Sequence, residues 1–163
     1  MASAVATLLK SSWPEVKIIG VEGVDQASMK AAFDAGGPVP LEYVDVFCDG
    51  TAVTQVGELT YEICRSQLDE IMTVTNEEVS SAIKAHWDGL RVIPEPSGAM
   101  SLAGYLKQQR AGLVGEGEKV LTILCGANMD FAKLPEISRQ AGINRRRDRS
   151  WQFPIPEENG SLV

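Results

Sequence analysis

Apolar and polar positions fall in blocks along this chain, and their period changes from block to block. In residues 2–12, Ala4, Val5, Leu8 and Leu9 recur at the spacing of one helix face. Trp13-Pro14 stops that helix, because a residue before proline is pushed out of the helical region. VKIIGVEG (16–23) is a short, continuous apolar run closed by glycine, as expected of a buried strand in a parallel sheet. Asp25 is placed to cap the next helix, QASMKAAFDAG, which Gly36-Gly37 ends. Pro38 and Pro40 mark a loop, and YVDVFCDGTAV (43–53) reads as extended with a turn at Asp49-Gly50. Helical spacing returns through Val56, Leu59, Ile63 and Leu68 in residues 55–70.

IMTVT (71–75) is a second strand. Asn76 opens a helix to about Trp87, with Glu77 and Glu78 in its first turn, where carboxylates favour the helix dipole. The stretch from Arg91 breaks at Pro94 and Pro96, and Ser97 or Gly98 starts a helix rich in small residues. After a turn at Gly115-Glu116-Gly117, residues 119–128 read as a third buried strand. RQAGINRRRDRS (139–150) is polar and charged and reads as a linker, and WQFPIPEENGSLV resumes an apolar alternation. The order helix, strand, helix, strand, helix, strand predicts an α/β fold: three layers, with a mainly parallel sheet flanked by helices.

Composition narrows the function classes. The 163 residues, 44% hydrophobic and 23% charged, suffice for one domain with its own core. Apolar runs fall short of the ~18–20 residues of a membrane span, and MASAVATLLK has no basic residue ahead of its apolar part, unlike a secretory leader. A net charge of −7 opposes general nucleic-acid binding. Cys48, Cys64 and Cys125 form no CxxC pair, which fits reduced thiols in the cytoplasm. With His86 the only histidine, no metal-ligand set is expected. His86 itself sits in a helix as a packing or surface residue. Arg145, Arg146, Arg147 and Arg149 surround Asp148 and read as a solvated linker.

Three short motifs could carry chemistry. Cys125-Gly126-Ala127-Asn128 ends the apolar run 120–124 on a thiol, two tiny residues and an amide. In open α/β sheets, ligands sit at the carboxyl ends of strands. A weak donor or acceptor there can reach a heteroaromatic nitrogen, and small neighbours leave room for a flat ring. On pattern alone, a buried cysteine before a tight turn is the favoured reading of the motif. PEPSGAM (94–100) holds Glu95 between prolines and then starts a helix with free amides, and CDGTAV (48–53) allows close backbone approach at Gly50. Plain helix initiation and a surface turn are the alternatives. Gly20-Val-Glu-Gly23 lacks the GxGxxG pattern of a dinucleotide loop.

Their order along the chain is more specific than any one of them. VKIIGVEGVDQASMKAAFDAG, DGTAVTQVGELTYEIC, EIMTVTNEEVSSAIK, VIPEPSGAMSLAG and VLTILCGAN together resemble threonine dehydratase of the biosynthetic type, a fold type II pyridoxal-phosphate family. The resemblance covers the C-terminal half of the catalytic domain. It implies catalytic-domain residues 1–143, a linker at 144–150, and the start of an ACT-like regulatory domain at 151–163. It also implies pyridoxal 5′-phosphate as cofactor, with Cys125 at the pyridine nitrogen in place of the usual serine, and Gly126, Ala127 and Asn128 completing the turn beside the ring. Glu95 and Gly50 map near the cofactor in the same comparison. The implied reaction is β-elimination and deamination of L-threonine, with L-serine the alternative substrate, in a cytoplasmic homo-oligomer that contacts neither membrane nor nucleic acid.

The family also uses a lysine in a Ser-x-Lys-x-Arg context, which binds the cofactor's aldehyde, and a glycine run that holds its phosphate. No lysine of this chain stands in that context, and Met1 stands where the glycine run would have just ended. No catalytic residue is therefore assigned within it. The chain by itself is expected to be inactive or nearly so; the competing reading is a non-catalytic fragment that complements an N-terminal half.

Overall fold

Two of the three expected strands form and pair. In the computed structural model, which describes residues 1–144, β1 (Ile19–Gly23) and β2 (Glu70–Val74) run parallel, with Ile19 opposite Glu70 and Gly23 opposite Val74. Six helices surround them: α1 (Ala2–Ser12), α2 (Ser28–Ala35), α3 (Glu58–Gln67), α4 (Asn76–Leu90), α5 (Pro96–Arg110) and α6 (Leu134–Asn144). The α/β class and the parallel pairing are as the sequence predicts. The linker and regulatory segment expected at 144–150 and 151–163 lie outside the described residues, apart from Asn144, which closes α6.

The core lies between the sheet and helices α4, α5 and α6. Val74, Val79, Ala82, Ile83, Ala99, Met100, Ala103 and Ile137 are buried together, and each fully buried valine or isoleucine contributes about 1.5–3 kcal/mol. Thr75 caps α4 through a reciprocal pair: Glu78 N donates to Thr75 Oγ1 at 3.3 Å, and Thr75 N donates to the Glu78 carboxylate at 2.9 Å. Lys107 of α5 donates to the same carboxylate at 3.1 Å and to Thr73 O at 2.8 Å, so one ammonium ties α5 to the junction of β2 and α4. Gly104 lets α5 rest on the sheet, since a Cβ there would lie 2.7 Å from Val21 Cγ2.

Three expectations are corrected. Asp25 does not cap α2. It lies in a 3₁₀ turn, Val24–Gln26, and the first amides of the helix, Met29 N and Lys30 N, donate instead to the Glu22 carboxylate at 2.9 and 2.8 Å. The strand end brings two carboxylate oxygens under two amides, which the side chain within the turn does not match. Residues 119–128 are extended but form no strand among the described residues, and they are not buried: Leu121 is 79% exposed and Val120 49%. They lie along α5, where Ser101 Oγ donates to Ile123 O at 2.7 Å. An apolar run signals a wish for burial, but among the described residues no neighbouring strand pairs with it to supply that burial. Arg139–Asn144 is not linker but the second half of α6, anchored by buried Ile137 and Ala141 four residues apart. Its outward charges, with Arg139 paired to Glu136 at 2.6 Å, hid that stripe.

His86 proves to be a packing residue of α4, 6% exposed, with no partner for Nε2 among the described residues. Burial holds its imidazole below its ordinary range. An unfolded histidine titrates near ~6.5, so on acidification the unfolded chain takes up this proton before the folded chain does. Stability therefore falls as pH drops below about 6.5, by at most ~1.4 kcal/mol per pH unit. We expect the melting temperature to decline between about pH 7 and 5.5 and the decline to flatten in His86→Phe; an unchanged slope in the variant would refute the assignment.

Candidate functional site

The carboxyl end of the 119–124 run meets the start of α5, and both carry residues that remove side-chain bulk. Glu95 is the N-cap of α5, held extended between Pro94 and Pro96, and it does not cap its own helix. Its backbone N donates to Gly126 O at 3.1 Å, and its carboxylate accepts from Asn128 N at 3.2 Å. One residue thus pins both sides of the turn 125–128. Gly126 makes that turn with φ of +73°, a conformation glycine adopts without penalty. A Cβ on it would also run into the Glu95 carboxyl group. At Gly98 the constraint is proximity: a Cβ there would fall on the carbonyl of Cys125.

A third segment closes on the same place. Asp49–Thr51 form a 3₁₀ turn, with Cys48 at its N-cap, rather than a plain extended strand end, and a Cβ at Gly50 would lie 2.9 Å from Ser97 Oγ and 3.1 Å from Glu95 Oε1. Thr51 N donates to Cys48 O at 3.0 Å, and Lys133 lies 3.9 Å from Asp49. Thr51 Oγ1 lies 3.0 Å from Cys48 O and 2.9 Å from the Gln26 amide oxygen, yet it has one hydrogen to give. With the amide turned over, Nε2 of Gln26, otherwise buried and unpaired, donates one hydrogen to Thr51 Oγ1, which leaves the hydroxyl hydrogen free to go to Cys48 O. Cys48 below the turn is fully buried, and burial, aided by Asp45 and Asp49, pushes its thiol up to about 12; it is a packing residue, not a nucleophile.

The structure therefore brings together Gly50, Glu95, Cys125, Gly126 and Asn128, with Ala127 exposed in the turn between them. Cys125 is partly exposed rather than sealed in the interior, and its Sγ lies 4.0 Å from Sδ of Met1. Met1 is the N-cap residue of α1, and no side chain caps that helix. The Met1 side chain thus links the start of α1 to Cys125. Sequence reasoning took Ser97 and Gly98 only as helix starters. No local signal would have promoted them, since their neighbours, Gly50 and the Cys125 carbonyl, are distant in the chain.

Comparison with known proteins gives this arrangement a lineage. The biosynthetic L-threonine dehydratase of Haemophilus influenzae is 39% identical over all 163 residues, which correspond to 32% of its length. That of Escherichia coli is also 39% identical, over the same shares of the two chains. The chain thus spans about a third of the length of these curated relatives. Among solved structures, the processed form of threonine deaminase isoform 2 from Solanum lycopersicum superposes with a TM-score of 0.83 at 40% identity, covering 86% of this chain and 41% of that one. Serine racemase from Dictyostelium discoideum follows the same fold at a TM-score of 0.70 and 29% identity, over 80% of this chain and 41% of its own. Residues 1–126 match the pyridoxal-phosphate dependent enzyme family, and the protein belongs to that family.

Proposed function

We propose that residues 1–143 form the ring-side wall of a pyridoxal-phosphate cleft in an L-threonine dehydratase, which converts L-threonine to 2-oxobutanoate and ammonia. The observation that carries this reading is the meeting of three glycine-bearing segments at Glu95 and Cys125: a Cβ at Gly50 would meet Ser97 and Glu95, one at Gly98 the Cys125 carbonyl, and one at Gly126 the Glu95 carboxyl group. The glycines let these segments pack directly against one another, which holds the partly exposed Cys125 and the bulk-free turn at 126–127 where a flat ring would lie. The donor chemistry also fits: a partly exposed thiol for a ring nitrogen, and the uncapped amides of α1 for a phosphate.

When bound, the cofactor supplies the electron sink for a carbanion at the substrate's Cα. This chain's residues would position it: Cys125 would meet the ring nitrogen, and Gly126 and Ala127 would leave the ring face clear. Glu95 holds the turn through Gly126 O and Asn128 N, and α1 offers its amide end to the anion. The relatives' alignment runs through the whole chain, beyond residue 126 where the family match ends, and 151–163 is read as the start of a further, regulatory segment from its sequence alone.

The test is titration of the 163-residue chain with pyridoxal phosphate, followed by co-expression with the N-terminal part of the Escherichia coli relative. Binding by the chain, with 2-oxobutanoate formed from L-threonine by the pair, is expected. Turnover restored with L-serine in preference to L-threonine would reassign the substrate, and cofactor binding without any turnover would favour the non-catalytic fragment. Cys125→Ser is expected to hold the cofactor at least as tightly as the native chain, because a hydroxyl is the stronger hydrogen-bonding group. Cys125→Ala should weaken it about fivefold, the equivalent of one hydrogen bond of ~1 kcal/mol. Equal affinities for all three would remove Cys125 from the site.

A further inference from the structure

Val120, Leu121, Ile123 and Leu124 are all exposed, so side chains of both parities of one extended run face outward. A run that is apolar on both faces is the pattern of a strand covered on each side. Its backbone is open as well. Among the described residues no amide of 119–124 donates a hydrogen bond, and the one carbonyl engaged is that of Ile123, which accepts from Ser101 Oγ. β1 is open in the same way: it pairs with β2 along one edge and with no described residue along the other. Helix α5 brings these two open edges under one element. Gly98 abuts the Cys125 carbonyl, Ser101 holds Ile123 O, Gly104 abuts Val21 of β1 and Met72 of β2, and Lys107 reaches Thr73 O of β2. Each step of three residues turns about 60° around a helix, so these contacts move in one direction around α5, from 123–125 through β1 to β2. The open edge of β1 therefore faces residues 119–124, yet the two backbones do not bond to each other.

We propose that the open edge of β1 and residues 119–124 form a slot for one extended apolar strand, supplied in trans by polypeptide equivalent to the part of the relatives that this chain does not span. The inference rests on the reading above of this chain as one part of a threonine dehydratase, and adds to it a docking surface and the kind of partner that fits. Coverage argues for that occupant. In the Solanum lycopersicum structure the matched region is 41% of the chain, so most of that fold is built by polypeptide outside it. A second copy of this chain is a poorer fit. Its own 119–124 segment is tied to its own α5 through Ser101, so it could pair along one edge but not enter the slot. Each copy also carries a net charge of −7, which opposes self-association. Main-chain hydrogen bonds along both edges supply affinity for an added strand, and the alternate side chains supply selectivity.

The test is co-expression of the 163-residue chain with a tagged N-terminal part of the Escherichia coli relative, capture on the tag, and amide hydrogen exchange of the complex. Amides of 120–124 are expected to exchange freely in the chain alone and at least about tenfold more slowly in the complex, with added protection along β1. Leu121→Lys should cut capture more than about tenfold, because a charge would enter the buried slot. The same variant should leave the melting temperature of the isolated chain unchanged, since Leu121 is exposed there. Leu90→Lys, at an exposed position on α4, is the control and should be captured like the native chain. Capture without slower exchange at 120–124 and β1, or equal loss of capture in both variants, would overturn the slot and leave the cofactor reading intact. Protection of 120–124 that appears in the chain alone as its concentration rises, together with a dimer, would assign the edge to a second copy and overturn the proposal too. No capture by a chain that still binds pyridoxal phosphate would overturn the slot alone. Protection of both edges in a complex that binds no pyridoxal phosphate would uphold the slot and overturn the cofactor reading.

Discussion

Replacing Gly98 with alanine is expected to destabilise the chain by about 3 kcal/mol, the upper end of the cost of overpacking a close contact. The new methyl group would fall on the Cys125 carbonyl, a backbone group that cannot rotate aside. Either the first turn of α5 must lift from the 123–126 segment or that segment must swing outward. Both movements disturb Ser101 Oγ to Ile123 O and Glu95 N to Gly126 O, the bonds that tie the two together. For a domain of this size the loss corresponds to roughly 6–12 °C in melting temperature. Gly89→Ala is the matched control. It lies in α4 with open space where its Cβ would go, so the same substitution should stabilise by up to about 1 kcal/mol through helix propensity alone. Opposite signs at the two glycines are the expected result of thermal melts; a Gly98→Ala protein that melts with the native chain would mean that α5 and residues 123–126 do not touch.

Replacing Gly126 with alanine should cost about 2–3 kcal/mol, from two separable sources. Left-handed backbone costs a residue with a Cβ about 1–2 kcal/mol, and Gly126 has φ of +73°. The remainder is collision with the Glu95 carboxyl group. A double-mutant cycle separates them. Adding Glu95→Ala removes the collision and leaves the strain, so the two substitutions should couple by about 1 kcal/mol or more. Strict additivity would mean that Glu95 does not brace this turn. The loss should also appear as weaker retention of pyridoxal phosphate, because Glu95 fixes Gly126 O and Asn128 N together and the turn presents Cys125.

These two glycines show where reading the chain and seeing it folded part company. Both lie in motifs conspicuous in sequence, PSGAM and CGAN. Gly126 is legible as a turn residue from its neighbours alone. Gly98 is not, since nothing local demands a glycine as the third residue of a helix; its reason is the Cys125 carbonyl, 27 positions along the chain. Ser97 was passed over for the same reason, as Gly50 lies beside it only once the segments are packed. α6 was misread because charges on one face outweighed a stripe of two buried residues on the other.

By itself the sequence determined the α/β class, the positions of β1, β2 and most helices, and the ordered motifs that tie the chain to its family. These follow from hydrophobic period, proline and glycine punctuation and residue order, all of which are local in the chain. Only the tertiary structure decided that Glu22 rather than Asp25 caps α2, that residues 119–124 are extended and exposed, and that Gly50, Ser97, Glu95 and Cys125 share one place. The physical reason is that a side chain's partner is set by which segments pack together. That packing is a property of the whole fold, to which each local pattern contributes only one face.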